Sequence, residues 1–314
     1  RESGANPAQE IGFALEIAHT YIDEALGRGL FVDDVARKIT FNFNIFGNLW
    51  EQVAKFRAAR KLWARMLKEE YGAKDSKAMH LRGLFGGGGF GLTKAQPENN
   101  IMRSSYYALA AALAGAQTTA LCSFDEAFTI PTPRAALLSL RTCELLMDEI
   151  GLRDTVDPLA GSYFVETLTK QMEDRILEER DCIQKVGGMR QAVATGYVQK
   201  LVARQAYEWE LGLKRGEYIK IGVNKYVDED EPEVELHEYD AQTQERQIQN
   251  LRKVKAERSA QDVARNLGEL KRVASLKQNV MPTLVECCKS YCTVGEMAGV
   301  FREVFGEFKE PSIF

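Results

Sequence analysis

The chain has 314 residues, room for about two domains of roughly 150 residues each, with 45% hydrophobic and 27% charged residues. That balance excludes disorder, collagen-like repeats and low complexity. Lys and Arg number 41 against 45 Asp and Glu, a formal charge of −4 with no dense basic run, which argues against a nucleic-acid partner.

In chain order, Asn6-Pro7-Ala8-Gln9 places Asn at a helix cap, Pro at the first helical position and Gln three after the cap. Ile11, Leu15, Ala18, Ile22 and Leu26 then recur at helical spacing until Gly27 and Gly29. Ile39 to Ile45 alternates apolar and polar residues strictly and predicts a strand. A second long helix carries Trp50, Val53, Ala54, Leu62 and Met66 and ends before Gly72. A strand is predicted over 77–85, followed by Gly86-Gly87-Gly88-Gly89-Phe90-Gly91. A helix over 98–114, a strand over 117–123 and a helix over 133–150 complete the alternating part.

Strand–helix alternation with short connections implies a parallel sheet. Inner strands of a doubly wound open sheet read as continuous apolar runs. Here Ile39, Phe41, Phe43 and Ile45 form one greasy face, and Thr40, Asn42 and Asn44 a polar one. The pattern suits a barrel strand whose inner face meets a ligand-admitting lumen, or an edge strand with one wet face. Three strands are the later part of a (β/α)8 TIM barrel at most, since the barrel needs eight. The fold class is thus α/β, with residues 1–150 carrying the last three barrel strands.

Residues 151–314 read as a mainly helical linker suited to wrapping a partner. Helices are predicted over 163–186, 190–194 and 199–215, with Gly187-Gly188 as a break and a short strand at Tyr218–Val223. Asp228 to Glu233 is an acidic, Pro-interrupted surface loop. A long charged helix over 241–270 follows, then a last helix from Val294 with a Thr293/Glu296 capping box.

Cys122, Cys143, Cys182, Cys287, Cys288 and Cys292 fit neither a zinc ribbon nor a disulfide framework. They suit a reducing, cytoplasmic compartment, with Cys287, Cys288 and Cys292 as core thiols. With only His19, His80 and His237, no metal site is expected. No stretch approaches the ~18 apolar residues of a membrane span, and no signal peptide is visible. The first residue is Arg1 rather than Met, so an upstream segment is expected, either removed or carried on another chain.

Gly86, Gly88 and Gly91 satisfy a dinucleotide fingerprint, yet the helix does not start within the glycines and no acidic residue ends a strand ~20 residues on. A nicotinamide site is therefore a poor fit, and a P-loop is worse because no Gly-Lys-Ser/Thr follows. Sterically, four glycines at a strand end offer bare backbone to a large flat or chain-like ligand, or a flexible loop tip. Asp125 and Glu126 lie just past the third strand, where Glu126 contacts a ligand or caps the following loop.

Ser123-Phe124-Asp125-Glu126-Ala127, Asp157-Pro158-Leu159-Ala160-Gly161-Ser162-Tyr163, Gly187-Gly188-Met189 and Ile221-Gly222-Val223-Asn224-Lys225-Tyr226 together resemble the methylmalonyl-CoA mutase family. Ala54-Lys55-Phe56-Arg57-Ala58-Ala59-Arg60 and Cys292-Thr293-Val294-Gly295-Glu296 fit in the same order. The resemblance implies the C-terminal half of a large subunit of an adenosylcobalamin-dependent acyl-CoA mutase. In that family a hydrophilic TIM-barrel lumen is threaded by the pantetheine arm of CoA. Its partners would be the N-terminal barrel half, a small cobalamin-binding subunit and an acyl-CoA. The family's cobalt-ligating Asp-x-His-x-x-Gly motif does not occur here. The family's catalytic histidine would fall just upstream of Arg1, leaving no catalytic residue within this chain.

Carried over by resemblance, Glu126 contacts the adenosyl ribose, with Ala127 beside it, and Gly86, Gly87, Gly88 and Phe90 meet the cofactor. Gln117 and Thr118 line the substrate pocket with Asn42 and Leu84. Lys38 and Thr40 lie near the CoA phosphates, where Lys in place of the family's Arg keeps the charge and loses bidentate geometry. The family usually has His, Gln and Trp where this chain has Leu84, Gly86 and Phe90. That exchange of polar groups for apolar surface implies a bulkier, less polar acyl group than methylmalonyl. The alternative is a catalytically inactive assembly or binding subunit.

Overall fold

The computed structural model describes residues 1–229 and 233–311, so Asp230, Glu231 and Pro232 of the expected acidic loop lie outside the described residues. The chain divides into two compact units, 1–237 and 238–310.

The first unit is mixed α/β. Helix α1 (Pro7–Gly27) begins at the Asn6/Gln9 capping box, with Asn6 accepting from the Gln9 amide at 2.9 Å. A short helix α2 (Val32–Ala36) leads into β1 (Phe41–Ile45). Helix α3 (Leu49–Arg65), capped by Asn48, runs into a π-turn over Met66–Glu70. Strand β2 (Gly83–Gly87) precedes a 3-10 turn at Gly89–Gly91 and helix α4 (Asn99–Leu113). Strand β3 (Thr119–Leu121) is followed by α5 (Pro133–Asp148), then α6 (Tyr163–Lys185), α7 (Gly188–Ala194) and α8 (Tyr197–Lys214).

The strands form a parallel sheet in the order β1-β2-β3, with Phe43 beside Phe85 and Phe85 beside Thr119. One face packs on helices. Phe43 and Phe85 meet Phe56 of α3 at ring separations of 6.0 and 4.7 Å, and Phe41 meets Trp63 edge-on at 5.2 Å. Phe43, Ile45 and Phe85 are buried there, each worth roughly 1.5–3 kcal/mol of apolar transfer. The opposite face carries the exposed Asn42, Leu84 and Ala120. The alternation read in Ile39–Ile45 is therefore the real division of β1 into a helix side and an open side.

The observed elements correct several predicted bounds. Residues 76–79 form a turn, and β2 takes in Gly86 and Gly87, which the ladder to Asn44, Ile45, Ala120 and Leu121 holds extended. Tyr218–Val223 is a turn rather than a strand, with an isolated bridge between Ile221 and Lys225 and Gly222 at φ +80°. Helix α6 packs along α1 and α3, so the first unit continues well past residue 150. Arg180 anchors it by donating to the fully buried Glu16 at 2.7 Å and to Glu70 at 3.1 Å.

The second unit is helical: α9 (Thr243–Glu257), α10 (Ala260–Ser275), α11 (Met281–Lys289) and α12 (Val294–Phe305). The single helix expected over 241–270 is two. Arg258 is extended and Ser259 caps α10 by accepting from the Asp262 amide at 3.2 Å. Val263, Leu270, Cys287, Cys292 and Val300 form the core of this unit, whereas Cys288 is exposed and is not a core thiol. Among the described residues no helix is long and apolar enough to cross a membrane.

Candidate functional site

The open face of the sheet places the candidate residues in tiers along the strands. Lys38, Thr40, Gln117 and Thr118, all exposed, lie at the entry to β1 and β3, and the Thr118 hydroxyl donates to the Gly83 carbonyl at 2.7 Å. Asn42 and Leu84 sit side by side in the middle, and Asn44, Gly86 and Ala120 form the next row. Gly88, Phe90, Glu126 and Ala127 lie beyond the C-terminal ends. Each strand residue rises ~3.3 Å, so the set spans the length of a chain-like ligand rather than one compact pocket.

Asn44 is fixed by a buried pair that the sequence alone did not reveal. The Glu10 carboxylate accepts from the Asn44 amide at 2.7 Å and from the Lys55 ammonium at 2.7 Å. Lys55 also donates to the Asn44 carbonyl at 2.6 Å. The lysine is fully buried and the Glu10 side chain 7% exposed. Burial pulls the Lys55 ammonium below the ordinary lysine range, against the opposing pull of Glu10. The three groups satisfy one another and clamp the C-terminal end of β1 to α1 and α3.

The glycine run divides by what a side chain would meet. A Cβ on Gly87 would approach Leu121 and Tyr107 at 3.1 Å, so Gly87 serves packing on the helix side rather than the open face. At Gly88 it would meet Asn44 Nδ2 and Glu2 Oε1 at 3.0 Å, and at Gly91 it would run into the Tyr107 hydroxyl and Phe46. These glycines let the strand end close against Phe46, Glu2 and Tyr107. At Gly86 the nearest atom would be the Ala120 carbonyl oxygen at 3.7 Å, an ordinary contact.

Beyond the strands, Asp125 does the capping. It is fully buried and accepts from the Thr132 amide at 3.0 Å and from the hydroxyl of Ser123, holding the loop that starts α5. Glu126 is thereby released from that task and stands exposed at the rim, its Cγ 3.3 Å from where a Gly89 Cβ would be. Burial together with the Glu126 carboxylate pushes the Cys122 thiol up to about 11, so it stays protonated near neutrality. Phe90, half-exposed, is braced by Phe46 at 5.2 Å and by Trp209 of α8 at 5.1 Å.

The turn around Ile221–Tyr226 latches the segment after the glycines. Lys220 donates to the Gly91 carbonyl, Arg103 to the Ile221 carbonyl at 2.9 Å and Gln96 to the Tyr226 carbonyl at 2.7 Å. Burial and the neighbouring Arg103 lower the Lys220 ammonium to about 8. Arg57 similarly joins two distant motifs, bonding Asp157 and, at 2.7 Å, Glu166.

A cavity of about 570 Å³ lies elsewhere, between α1 and the α6–α7 turn, lined by His19, Asp23, Glu24, Gln184 and Arg190. Its charged groups are spent on one another: His19 lies 3.3 Å from Asp23, and Arg190 pairs with Glu24 at 3.2 Å. Size alone does not make it the reaction site. Among the described residues no cluster of His, Cys, Asp and Glu is arranged to hold a metal ion.

A family model described as methylmalonyl-CoA mutase matches residues 1–307. The chain is 39% identical over its whole length to the 2-hydroxyisobutanoyl-CoA mutase large subunit of Aquincola tertiaricarbonis, covering 56% of that protein. It is 36% identical to the methylmalonyl-CoA mutase of Rhizobium meliloti, over 98% of this chain and 43% of the relative. The human mitochondrial methylmalonyl-CoA mutase is 34% identical over 98% of this chain and 42% of its own length. The chain thus spans about half the length of the curated relatives it matches.

Proposed function

The chain belongs to the methylmalonyl-CoA mutase family, and we propose that it forms the C-terminal part of the large subunit of an adenosylcobalamin-dependent acyl-CoA mutase. Such an isomerase moves a group between neighbouring carbons of a CoA thioester. The observation that carries the reading is the open, tiered sheet face. Three sequential parallel strands bury one side on helices and present Asn42, Asn44, Leu84, Gly86 and Ala120 on the other.

Continued by five further strands, this sheet closes into a (β/α)8 barrel whose lumen is that open face. The N-terminal part of a longer protein would supply those strands. It would also cover Leu137, Leu140 and Leu145, which α5 leaves exposed. Lys38 and Thr40 at one end and Glu126 at the other then define a track for a thioester arm, phosphates first and acyl group last.

The rim fits adenosylcobalamin in shape and donor chemistry. Gly89 presents backbone without a projecting side chain, braced Phe90 offers a flat apolar surface, and Glu126 offers an exposed carboxylate suited to paired ribose hydroxyls. When bound, the cofactor supplies the carbon radical that begins the rearrangement. Glu126 orients the adenosyl group, the glycine rim lets it approach, and the sheet face positions the thioester away from water. A small cobalamin-binding subunit would dock over this rim, in keeping with the name "large subunit" of one relative.

The test is isomerisation of acyl-CoA esters by the full-length large subunit combined with its cobalamin-binding partner, with and without adenosylcobalamin. Cofactor-dependent turnover is expected. Glu126→Ala should lower turnover at least tenfold while leaving CoA binding within about twofold. An inert complex that still binds CoA and cobalamin would instead identify a non-catalytic assembly subunit.

A further inference from the structure

Within β2, one glycine is not required by its close contacts. Gly87, Gly88 and Gly91 are held to glycine by Leu121, Tyr107, Asn44, Glu2 and Phe46. Gly86 is not. It lies inside β2, its φ falls outside the left-handed range, and a Cβ there meets nothing closer than the Ala120 carbonyl oxygen at 3.7 Å. A strand interior ordinarily disfavours glycine, which adds backbone entropy to the unfolded state and packs nothing. A glycine where a Cβ would make only ordinary contacts points to space being used.

That space has a definite character. Gly86 faces the open side with Leu84, 40% exposed two residues earlier, and Ala120 beside it on β3. No polar side chain from β2 or β3 enters this trough between Leu84 and Gly88. The polar groups are on β1, where Asn42 stands beside Leu84 and Asn44 beside Gly86, the latter's backbone clamped by Glu10 and Lys55. The face is therefore split lengthwise into an amide-rich wall suited to a thioester and an apolar trough whose depth is set at Gly86.

We propose that Gly86 is the specificity-determining position of the acyl site, and that the trough over Gly86 and Ala120 takes acyl groups bearing a branched-alkyl or aryl substituent. The inference rests on the acyl-CoA reading above. A Cβ at residue 86 leaves short acyl groups untouched and fills the trough in proportion to side-chain size. One methylene of lost or added space in an apolar pocket changes selectivity by about 10- to 200-fold.

The experiment measures dissociation constants of free CoA, acetyl-CoA, isovaleryl-CoA and phenylacetyl-CoA for the full-length large subunit, in wild type, Gly86→Ala and Gly86→Val. Gly86→Val is expected to weaken isovaleryl-CoA and phenylacetyl-CoA at least tenfold while changing acetyl-CoA and free CoA less than threefold. Gly86→Ala, whose Cβ meets only an ordinary contact and which keeps the test open if valine perturbs folding, should lie between. An unchanged ratio of long to short esters in a folded Gly86→Ala or Gly86→Val protein overturns the assignment and leaves the acyl-CoA reading standing. Failure of the wild type to bind any CoA ester overturns both.

Discussion

Removing the Glu10 carboxylate tests how the open face is held in place. In Glu10→Ala, Lys55 keeps the Asn44 carbonyl at 2.6 Å as an acceptor but loses its directly paired carboxylate, in a site with no exposed surface. Breaking a buried pair from one side costs about 3–5 kcal/mol. The loss has a ceiling, because the lysine can shed its proton. Deprotonating a group of ordinary pKa 10.5 at pH 7 costs about 5 kcal/mol. At about 2–4 °C per kcal/mol, the midpoint of thermal unfolding should fall by roughly 6–20 °C at pH 7. The sign of the pH dependence follows from Lys55. Its folded-state pKa is depressed, so the variant's deficit shrinks as pH rises toward 10 and the unfolded lysine also loses its charge. Lys55→Met combined with Glu10→Gln should recover most of the loss, since no buried charge remains. Calorimetry showing Glu10→Ala within about 1 kcal/mol of wild type, or a deficit that grows with pH, would refute the clamp.

Two further outcomes follow from individual contacts. The Tyr107 hydroxyl is buried without a hydrogen-bond partner and borders Gly91, so Tyr107→Phe should be neutral or stabilising and should relieve part of the cost of Gly91→Ala, which alone is about 1–3 kcal/mol in chemical denaturation, the contact with Phe46 remaining. In the helical unit, Arg258 and the Thr293 amide lower the Glu296 carboxyl from 4.5 to about 2. Its depressed pKa means that the stabilisation is present above pH 4.5 and is lost as pH falls toward 2. Circular dichroism of Arg258→Ala should show a flatter acid transition for that unit.

Much of the fold was legible because local chemistry and burial agree. The Asn6/Gln9 and Thr293/Glu296 caps appear as read, and the alternation in β1 is the true division between Phe43 on the helices and Asn42 on the open face. A glycine run reads as a loop, so sequence alone ends β2 at Phe85 and starts it before Gly83. Only ladder bonds from β1 and β3 hold Gly86 and Gly87 extended, and neither neighbour is near in sequence. The α9–α10 break was missed because charged helical periodicity continues across it, while the Ser259 cap and the Arg258–Glu296 pair at 2.6 Å stop the helix.

The site was less legible than the fold. The sequence places Glu126 just past β3 and leaves it to contact a ligand or cap the loop; only the structure assigns the cap to Asp125. The clamp of Glu10, Asn44 and Lys55 joins residues up to 45 apart in sequence and leaves no local signature. Several motifs that carried the family resemblance prove to be scaffold: Arg57 ties Asp157 and Glu166, and the Ile221–Tyr226 turn latches the segment after Gly91. Shared motifs can reveal kinship without marking the chemistry.

The central claim is that the acyl group lies on the open sheet face. A CoA ester with a photoreactive aryl acyl group, irradiated on the full-length large subunit and mapped by peptide mass spectrometry, tests it directly. The account predicts labels at residues 84–88 and 118–122, competed away by unlabelled phenylacetyl-CoA. Competed labelling confined to the His19–Arg190 cavity, with none on β2 or β3, would contradict it.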